Sequence, residues 1–553
     1  MADRERIILR VEGMTCDGCV DHVTRALQQV PGVLYVDVPG WQAGRAEVIV
    51  KPDVSDQVLI DAISQAGYRG AVQQRETLTP NASRSQGAQY DVVVVGGGSA
   101  GFAAAIRAAE EGARVLLVNE GAIGGTCVNV GCVPSKALIR ALEVYHRAGE
   151  QRYAGVYTVP GALHWHRVID HKDALVADLR QAKYVDVLAA YPQITYLEGK
   201  ARLVGGTRVQ MNGETYTAAK VILATGARPW APPIPGLAEA GYLTSTTAMA
   251  LRELPRSLIV LGGNAIGLEL AQVFARAGVA VTVIELLERI APFEDEAVSE
   301  ELARHLAAEG ITLVTGASTQ RVERDAQGYR LHVRLADGKE ALFTAEQLLV
   351  ATGRRANTEG LDLDAAGIQV DRRGFIEVNE YAQTSHPDIY AAGDCTTLPQ
   401  FVYVAAHSGT VAAENALLGN HRMLELDFLP RVTFTDPQVA AAGLTEAEAR
   451  EQGYDVKVSV LPLEHVPRAL AARDTRGLIK LIADRATDRL LGAHIVAAEA
   501  GEIIQIAVLA MKAGITVHQL AGMLFPYLTL AEGLKLAAQT FEKDVAKLSC
   551  CAG

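Results

Sequence analysis

The chain has 553 residues, of which 49% are hydrophobic and 21% charged, and its formal net charge is −12. This composition is typical of a soluble globular protein with length for three or four domains. The acidic balance, without a sustained run of Lys or Arg, argues against a nucleic-acid partner. The sequence has neither a signal peptide nor an uninterrupted apolar run of membrane-spanning length, so we expect a cytoplasmic protein without a membrane segment.

Residues 1–72 predict a small separate module. RIILRVEG alternates as a strand does, and CVDHVTRALQQV has helical spacing. The extended stretches VLYVDV and RAEVIVK, the amphipathic segment DQVLIDAISQAGY and a last short strand near Ala71 follow. This order predicts a ferredoxin-like βαββαβ domain. Residues 73–89 are polar and aperiodic, and they predict a flexible linker.

The module carries GMTCDGC, which places Cys16 and Cys19 at C-x2-C spacing. Paired thiolates form a soft-metal site, but they suit copper(I), zinc and mercury(II) alike. The motif therefore predicts metal binding and leaves the choice of metal open.

Two βαβ units follow, and each carries a glycine fingerprint. In the first, the strand YDVVVV leads into Gly96, Gly98 and Gly101. These glycines permit a tight turn, close approach of a pyrophosphate and helix–strand packing, although a glycine-rich turn can be merely structural. The ribose-binding acid expected after the second strand is replaced by Asn119, with Glu120 beside it.

The second fingerprint, after the strand SLIVL, is imperfect. Gly262 and Gly267 are present, but Asn264 occupies the middle position, where its tolerance of unusual backbone angles would preserve the turn. Glu285 ends the second strand and suits a ribose 2′-hydroxyl better than a 2′-phosphate. With Arg289 as the only nearby cation, the pattern favours NADH or mixed coenzyme use.

Between the two units, GGTCVNVGCVPSK supplies Cys127 and Cys132. Two thiols on a helix turn can close a disulfide if the geometry of that bond is met. Zinc is the alternative, but it needs four ligands, and no second pair has the usual spacing. After residue 430 the strand-like RVTFTD and GLIKLIAD and the helical AGEIIQIAVLAMKAG predict an α+β domain.

GGTCVNVGCVPSK, together with LATGARP, LVATGRRAN and IYAAGDC, resembles the flavoprotein disulfide reductases over roughly residues 90–545. The resemblance implies an α/β fold with an FAD-binding domain at 90–230 and 358–428, an NAD(P)H-binding domain at 231–357 and a dimerisation domain at 429–553. It assigns Cys132 as the flavin-facing thiolate, Cys127 as the exchanging thiol, and Lys136 as the partner of Glu269. The cofactor-binding residues that it implies are Gly96, Gly98, Gly101, Glu120, Thr126, Lys136 and Asp394 for FAD, and Gly262, Gly267 and Glu285 for NAD(P)H.

The chain departs from the disulfide-reducing members near its end. Those enzymes carry His-Pro-Thr-x-x-Glu, whose His–Glu dyad moves the proton in thiol exchange. Here the sequence runs from Phe525 to Leu530 as FPYLTL, and neither of these two side chains transfers protons. We therefore expect a substrate other than an organic disulfide.

FPYLTLAEGLKLAAQTF, the terminal KLSCCAG and the heavy-metal-associated GMTCDGC resemble the mercury(II)-reducing branch of this family. The resemblance implies a homodimeric, mercury-detoxifying oxidoreductase that reduces thiol-bound mercury(II) to mercury(0). It implies that Cys550 and Cys551 of one subunit pass mercury to Cys127 and Cys132 of the other. Tyr184 and Tyr527 would lie beside the metal, although packing tyrosines are as common.

Two rival functions fit parts of the sequence. A dihydrolipoamide-type dehydrogenase with a chance tail lacks its proton shuttle here, and a metal carrier that has lost its chemistry would not need the Cys127/Cys132 pair. Cys395 has no partner in the sequence and is expected to be a buried structural thiol. His164 and His166 lack further ligands at metal-binding spacing.

Overall fold

The computed structural model describes residues 4–78 and 88–548. The chain forms two compact units: Met1–Gly125 with Tyr184–Gly226 and Ala356–Leu424, and Thr126–Lys183 with Ala227–Arg355 and Glu425–Gly553. The predicted thiol pair Cys550–Cys551 lies outside the described residues. In the described part of the chain, none of the helices has both the length and the apolar character that a membrane span requires.

The N-terminal module has the predicted βαββαβ order. Its elements are β1 (Arg4–Glu12), α1 (Asp17–Gln28), β2 (Val33–Asp37), a 3-10 turn (Trp41–Ala43), β3 (Arg45–Val50), α2 (Asp56–Gln65) and β4 (Arg69–Leu78). The strands form an antiparallel sheet in the order β2-β3-β1-β4. Alternate residues of β1, namely Ile7, Leu9 and Val11, are buried against the helices. The ferredoxin-like prediction is confirmed.

The predicted linker begins too early. Strand β4 continues to Leu78 and pairs with β1 as far as Arg4. Its polar sequence misled the prediction because β4 is an edge strand, whose outward face is solvated. Arg75, within the supposed linker, instead makes ion pairs with Glu5 and Asp56.

Residues 88–229 contain the first βαβ unit and the helices that carry the candidate thiols. Their elements are β5 (Tyr90–Val95), α3 (Ser99–Glu110), β6 (Val115–Asn119), α4 (Gly125–Val130), α5 (Cys132–Arg147), α6 (Trp165–Arg180), a π-helical turn (Gln181–Val185), α7 (Asp186–Ala189), β7 (Ile194–Glu198), β8 (Ala201–Leu203), β9 (Arg208–Met211), β10 (Glu214–Leu223) and β11 (Ala227–Pro229).

Residues 230–356 contain the second βαβ unit. Their elements are α8 (Leu237–Ala240), α9 (Ser245–Ala248), β12 (Ser257–Leu261), α10 (Ala265–Arg276), β13 (Ala280–Ile284), α11 (Glu296–Ala308), β14 (Thr312–Val314), β15 (Ser318–Asp325), β16 (Gly328–Arg334), β17 (Glu340–Ala345), β18 (Gln347–Val350) and β19 (Arg354–Ala356).

The remaining described residues return to the first unit and then form the C-terminal α+β region. Their elements are a 3-10 turn (Leu363–Ala366), β20 (Ile389–Ala391), a 3-10 turn (Gly393–Cys395), α12 (Val402–Leu418), β21 (Arg431–Thr433), β22 (Gln438–Gly443), α13 (Glu446–Glu451), β23 (Val456–Pro462), a 3-10 turn (Leu463–His465), α14 (Pro467–Ala471), β24 (Leu478–Asp484), β25 (Leu490–Ala497), α15 (Ala500–Lys512), α16 (Val517–Gly522), α17 (Glu532–Gln539) and a 3-10 turn (Val545–Lys547).

The first unit is built on a sheet in the order β7-β6-β5-β10-β9-β8, with β20 also paired to β10. Strands β5, β6, β7, β10 and β20 are parallel, as a doubly wound fold requires. Helix α3 packs tightly on α12 at Gly409, where a Cβ would lie 2.1 Å from the oxygen of Ala100. This packing holds the first fingerprint turn against the sheet.

The second unit contains a parallel sheet in the order β14-β13-β12-β18 and an antiparallel sheet in the order β21-β22-β25-β24-β23. An antiparallel β15-β16-β17 sheet accompanies the parallel one. Leu138 and Leu142 of α5 pack in the same core as Leu268 and Leu270 of α10. Helix α5 is therefore fixed against the second βαβ unit by apolar contact.

Candidate active site and dinucleotide-binding loops

Cys127 and Cys132 lie on consecutive helices. Cys127 belongs to α4 and Cys132 is the first residue of α5, so the expectation of a single helix turn is wrong. Gly131 separates the helices, and a Cβ there would lie 2.9 Å from the oxygen of Thr126. The close backbone approach at this glycine allows the helix to break and the two sulfurs to interact.

The two thiols are electrostatically unequal. The Cys127 thiol donates a hydrogen bond to Cys132, and this bond is the main cause that lowers the pKa of Cys132 to about 7. Burial opposes the shift, and the Lys136 ammonium favours it. The same hydrogen bond raises the pKa of Cys127. Cys132 is therefore the thiolate of the pair.

Lys136 lies one helical turn beyond Cys132 and is held on two sides. Its Nζ is 2.7 Å from Oε2 of the buried Glu269, as the family resemblance implied. The ammonium also lies 4.4 Å from the centroid of the Phe434 ring, a cation–π contact. The backbone N–H of Phe434 donates to Oε1 of Glu269 at 2.9 Å. These contacts fix the positive charge near the thiolate.

The two tyrosines predicted to lie beside the metal, Tyr184 and Tyr527, belong to different segments of the chain. Tyr184 lies in the π-helical turn at the end of α6, and its ring centroid is 4.7 Å from that of Phe102. Tyr527 is exposed in the segment between α16 and α17. Phe525, in the same segment, is half-buried against the core of the C-terminal region. The roles of both tyrosines stay predictions.

The first fingerprint has the shape that a dinucleotide requires. Gly96 has φ +114°, and a Cβ there would lie 2.2 Å from the oxygen of Ala224. A Cβ at Gly101 would lie 1.7 Å from the oxygen of Gly96. Gly98 precedes α3 and leaves space at the helix N-terminus, where backbone N–H groups bind phosphate. The turn thus fits the FAD pyrophosphate.

The side chain that ends strand β6 is committed to the turn itself. Oδ1 of Asn119 accepts the N–H of Gly97 at 2.8 Å, and its Nδ2 donates to the oxygen of Gly121 at 2.8 Å. Glu120 is exposed beside it. Thr126 is exposed in α4, and Asp394 lies in the 3-10 turn Gly393–Cys395. The FAD contacts of Glu120, Thr126 and Asp394 stay predictions.

The second fingerprint repeats the construction. A Cβ at Gly262 would lie 2.5 Å from the oxygen of Ala351, and one at Gly267 would lie 2.0 Å from that of Gly262. Asn264, however, has φ −106° and ψ −175°, an extended backbone that any residue adopts. The middle position therefore needs no unusual backbone angle, and the prediction that Asn264 preserves the turn by tolerating such an angle is wrong. The turn fits a nicotinamide dinucleotide.

Glu285 directly follows β13 and is buried. Its Oε2 accepts the N–H of Gly263 at 2.6 Å, and its Oε1 accepts that of Leu287 at 2.8 Å. Arg289 donates through Nη2 to the oxygens of Pro292 and Glu294. The carboxylate thus borders the turn, while the nearby cation is bound to backbone carbonyls.

In the N-terminal module, Cys16 caps α1 and Cys19 lies in its first turn, with their sulfurs 3.2 Å apart. The N–H of Thr15 donates to the Cys19 sulfur at 3.4 Å. This bond, with those from Tyr68 and Cys16, lowers the pKa of Cys19 to about 6. Cys16 is exposed and Cys19 is partly buried, and a pair of neighbouring thiolates suits a soft metal ion.

The other candidate ligands form no comparable site. Cys395 is fully buried, and its sulfur lies 3.5 Å from the oxygen of Leu223, which confirms the structural thiol. His164 and His166 have ring centroids 6.2 Å apart. Across residues 4–78 and 88–548, no group of three or more His, Cys, Asp or Glu could hold a metal ion.

Sequence reasoning missed two contacts at these sites. Phe434 contacts Lys136 although the two residues are 298 positions apart in the sequence. Tyr68, which follows α2, makes a hydrogen bond with Cys19. No local pattern marks either aromatic residue.

Comparison with known proteins defines the class. Residues 90–409 match the model of the pyridine nucleotide-disulphide oxidoreductases, and residues 429–538 match the dimerisation domain of the same family. The chain belongs to the pyridine nucleotide-disulphide oxidoreductase family. Residues 8–69 match the heavy-metal-associated domain. As a member of this family the chain uses FAD and a pyridine nucleotide and forms a homodimer.

The individual relatives are more specific. Mercuric reductase of Staphylococcus aureus is 44% identical over 98% of this chain and 98% of its own length. Mercuric reductase of Streptomyces lividans is 48% identical over 84% of this chain and 98% of its own. Among solved structures, the HOCl-induced flavoprotein disulfide reductase RclA from Escherichia coli is 31% identical, with a TM-score of 0.73, over 81% of this chain and 99% of that one.

Proposed function

We propose that this protein is a mercury(II) reductase that converts thiol-bound mercury(II) to mercury(0) at the expense of NAD(P)H. The observation that carries the proposal is Phe525, which stands where disulfide-reducing relatives have a proton-transferring histidine. Reduction of a disulfide to two thiols consumes protons, whereas reduction of mercury(II) to the atom consumes only electrons. The mercuric reductases that match nearly the whole chain support the same conclusion.

Mercury would be moved by exchange between thiolates. Cys16 and Cys19 capture the ion in the N-terminal module, and Cys550 and Cys551 form a second pick-up site. Each transfer forms one new sulfur–mercury bond and releases one thiolate, in the manner of thiol–disulfide exchange. A tethered second thiol outcompetes a free one, because its effective concentration reaches the millimolar range.

The destination is the pair Cys127–Cys132. Cys132, with a pKa near 7, supplies a thiolate at neutral pH. Cys127 loses its proton when it becomes the second ligand, and the vacated hydrogen bond is replaced by the shared metal. Lys136, held by Glu269, keeps a positive charge near the sulfurs while they are anionic.

The fingerprint turns hold the two dinucleotides. Gly96, Gly98 and Gly101 would receive the FAD pyrophosphate, with Glu120, Thr126, Lys136 and Asp394 as further FAD contacts; Gly262, Gly267 and Glu285 would hold NAD(P)H. When bound, FAD takes a hydride from NAD(P)H and supplies two electrons to mercury(II), so that NAD(P)+, a proton and mercury(0) are the products. Elemental mercury does not retain thiolate ligands, and Cys127 and Cys132 are left free for the next ion.

Tyr184 and Tyr527 would place phenol oxygens beside the ion during transfer. In the homodimer, we propose that the tail of one subunit serves the Cys127–Cys132 pair of the other. The reaction belongs in the cytoplasm, where small thiols and NAD(P)H are kept reduced.

The purified holoenzyme tests the function directly. NAD(P)H oxidation is followed with mercury(II) in excess thiol, and separately with oxidised glutathione and with oxidised lipoamide, while mercury vapour is collected. We expect oxidation and vapour with mercury only. Turnover of the disulfides without turnover of mercury would identify a disulfide reductase and defeat the proposal.

A paired variant tests the relay. Replacing Cys550 and Cys551 by Ala should abolish turnover of thiol-bound mercury while NAD(P)H still reduces the flavin at the wild-type rate. The matched control, Cys16→Ala with Cys19→Ala, should retain turnover in excess thiol. Wild-type turnover in the first variant would refute the tail's role without touching the overall reaction.

A further inference from the structure

Three side chains on one face of α10 bind the segment that follows β21. Glu269, Gln272 and Arg276 are spaced three and four residues apart, so they lie in line along the helix. All three are buried, and all three form hydrogen bonds with residues 434–436. We call these three side chains the α10 ladder. The ladder fixes to the helix a segment that is neither helix nor strand.

Each side chain of the α10 ladder has its own partner on the segment. Oε1 of Glu269 accepts the N–H of Phe434 at 2.9 Å. Gln272 forms a reciprocal pair with the backbone of Asp436: its Oε1 accepts the N–H at 2.8 Å, and its Nε2 donates to the oxygen at 2.9 Å. Nη2 of Arg276 donates to Oδ2 of Asp436 at 2.9 Å. Both ends of the segment are therefore held.

Asp436 is a buried carboxylate with two cationic partners. Its Oδ1 accepts a hydrogen bond from Nη2 of Arg476 at 2.8 Å, in addition to the bond from Arg276 to Oδ2. Burial would raise the pKa of this carboxyl, but the two guanidiniums outweigh burial and hold the pKa below its usual value. Each arginine has another carboxylate, Glu309 for Arg276 and Asp474 for Arg476. Loss of the Asp436 charge thus leaves neither guanidinium unpaired.

The segment carries the ring that contacts Lys136. Glu269 uses one carboxylate oxygen for the N–H of Phe434 and the other for the Lys136 ammonium. The same ammonium lies 4.4 Å from the centroid of the Phe434 ring. The Lys136 side chain is 33% exposed, so burial alone does not confine it. Its position depends on these two contacts, because a free lysine side chain has many accessible rotamers.

We propose that Asp436 is a positioning residue for Lys136: by fixing residues 434–436 on the α10 ladder, it holds the Phe434 ring against the ammonium. A cation–π contact depends on where the ring lies, so a loosened segment would release the lysine. The inference concerns the site of the proposed function. Its test measures the position of Lys136 and not turnover, so its failure would leave the mercury(II) proposal standing.

The test measures how fast the Lys136 amine is acetylated when the holoenzyme is treated with a trace of acetic anhydride, resolved by peptide mass spectrometry. An ammonium held by a carboxylate and a ring must leave both before its amine can react, so loss of either contact raises the rate. Lys339, whose side chain is 79% exposed between β16 and β17, is the internal reference. The readout is the ratio of the two rates.

Two variants of Phe434 establish that the ring controls this ratio. Phe434→Leu keeps the backbone N–H that binds Glu269 but removes the ring, so the ratio should rise about 2- to 5-fold. Phe434→Tyr keeps an aromatic face and should retain the wild-type ratio. An unchanged ratio in Phe434→Leu would show that the ring does not hold the ammonium and would overturn the proposal.

Asp436→Asn tests the positioning residue itself and should raise the ratio at least ~2-fold, the lower end of the effect of losing the ring contact. Asp436→Glu keeps the buried charge but adds a methylene to the clamp. It should raise the ratio in the same direction, and it serves if the first variant does not fold. Circular dichroism and thermal unfolding identify the folded variants.

Asp295→Asn is the matched control. Asp295 precedes α11 and is also buried, and it pairs at 2.9 Å with the buried Lys480, which keeps Glu446 at 2.7 Å. This variant removes an equivalent buried charge from another place in the same unit, so the Lys136 ratio should stay at the wild-type value. A wild-type ratio in the folded Asp436 variants, or an equal rise in Asp295→Asn, would refute the positioning role.

Discussion

Replacing Cys127 by Ala should make Cys132 an ordinary, poorly ionised thiol at neutral pH. The hydrogen bond from Cys127 is the largest cause that lowers the pKa of Cys132 to about 7, and burial, which opposes it, outweighs the Lys136 charge. Without that bond the pKa rises towards the usual thiol value of about 8.5. The thiolate fraction at pH 7 then falls from roughly one half to roughly 3%.

The assay is the rate of Cys132 alkylation by iodoacetamide in the reduced protein, resolved by peptide mass spectrometry so that the other thiols do not contribute. At pH 7 the Cys127→Ala variant should react up to ~15-fold more slowly than wild type, since the thiolate is the reacting form. Cys127→Ser keeps an O–H donor and should lose much less. A Cys127→Ala rate within ~2-fold of wild type would refute the assignment of the thiolate.

Lys136→Met should raise the pKa of that thiolate and Glu269→Gln should lower it, because the ammonium favours the anion and the carboxylate opposes it; alkylation across pH reads both signs, and shifts in one direction would contradict the account. Gly101→Ala should yield protein without flavin, because the new Cβ would lie 1.7 Å from a backbone oxygen of the turn. In Gly98→Ala the new Cβ makes only an ordinary 3.6 Å contact, so this variant should fold but bind FAD more weakly. Flavin content measures FAD binding and thermal unfolding measures folding in both glycine variants. A full flavin content in Gly98→Ala would show that no phosphate approaches this glycine. NADH should be a usable donor, with NADPH preferred by less than ~100-fold in kcat/KM, or ~2.7 kcal/mol, because Arg289 is bound to backbone carbonyls; steady-state kinetics with both coenzymes would expose a larger preference.

The parts of the fold that could be predicted from the sequence are those with local signals. The prediction of β5 and β12 as buried strands is confirmed. Each is a short apolar run followed by a glycine turn and an apolar helix, so its signal lies within about thirty consecutive residues. The Lys136–Glu269 ion pair could be anticipated only through the family resemblance, since 269 and 136 are brought together by packing of α5 on α10.

The remainder depends on contacts between distant residues or on fine backbone geometry. Nothing in the sequence marks the π-helical turn that contains Tyr184, because a single turn is too short for its apolar pattern to be told from that of an α-helix. The ring of Phe434 over Lys136 is likewise set by tertiary packing alone. The sequence marks Asn119 only as the absence of an acid, whereas its hydrogen bond from the N–H of Gly97 shows that this side chain secures the turn.

The length of β4 limits how the metal-binding module can be used and dissected. Strand β4 pairs with β1 along its whole length, so the sheet of the module is complete only at Leu78. A fragment that stops at residue 72 would also strip half of an edge from β1, exposing unpaired backbone groups that invite aggregation. A fragment that ends after Leu78 retains the whole sheet.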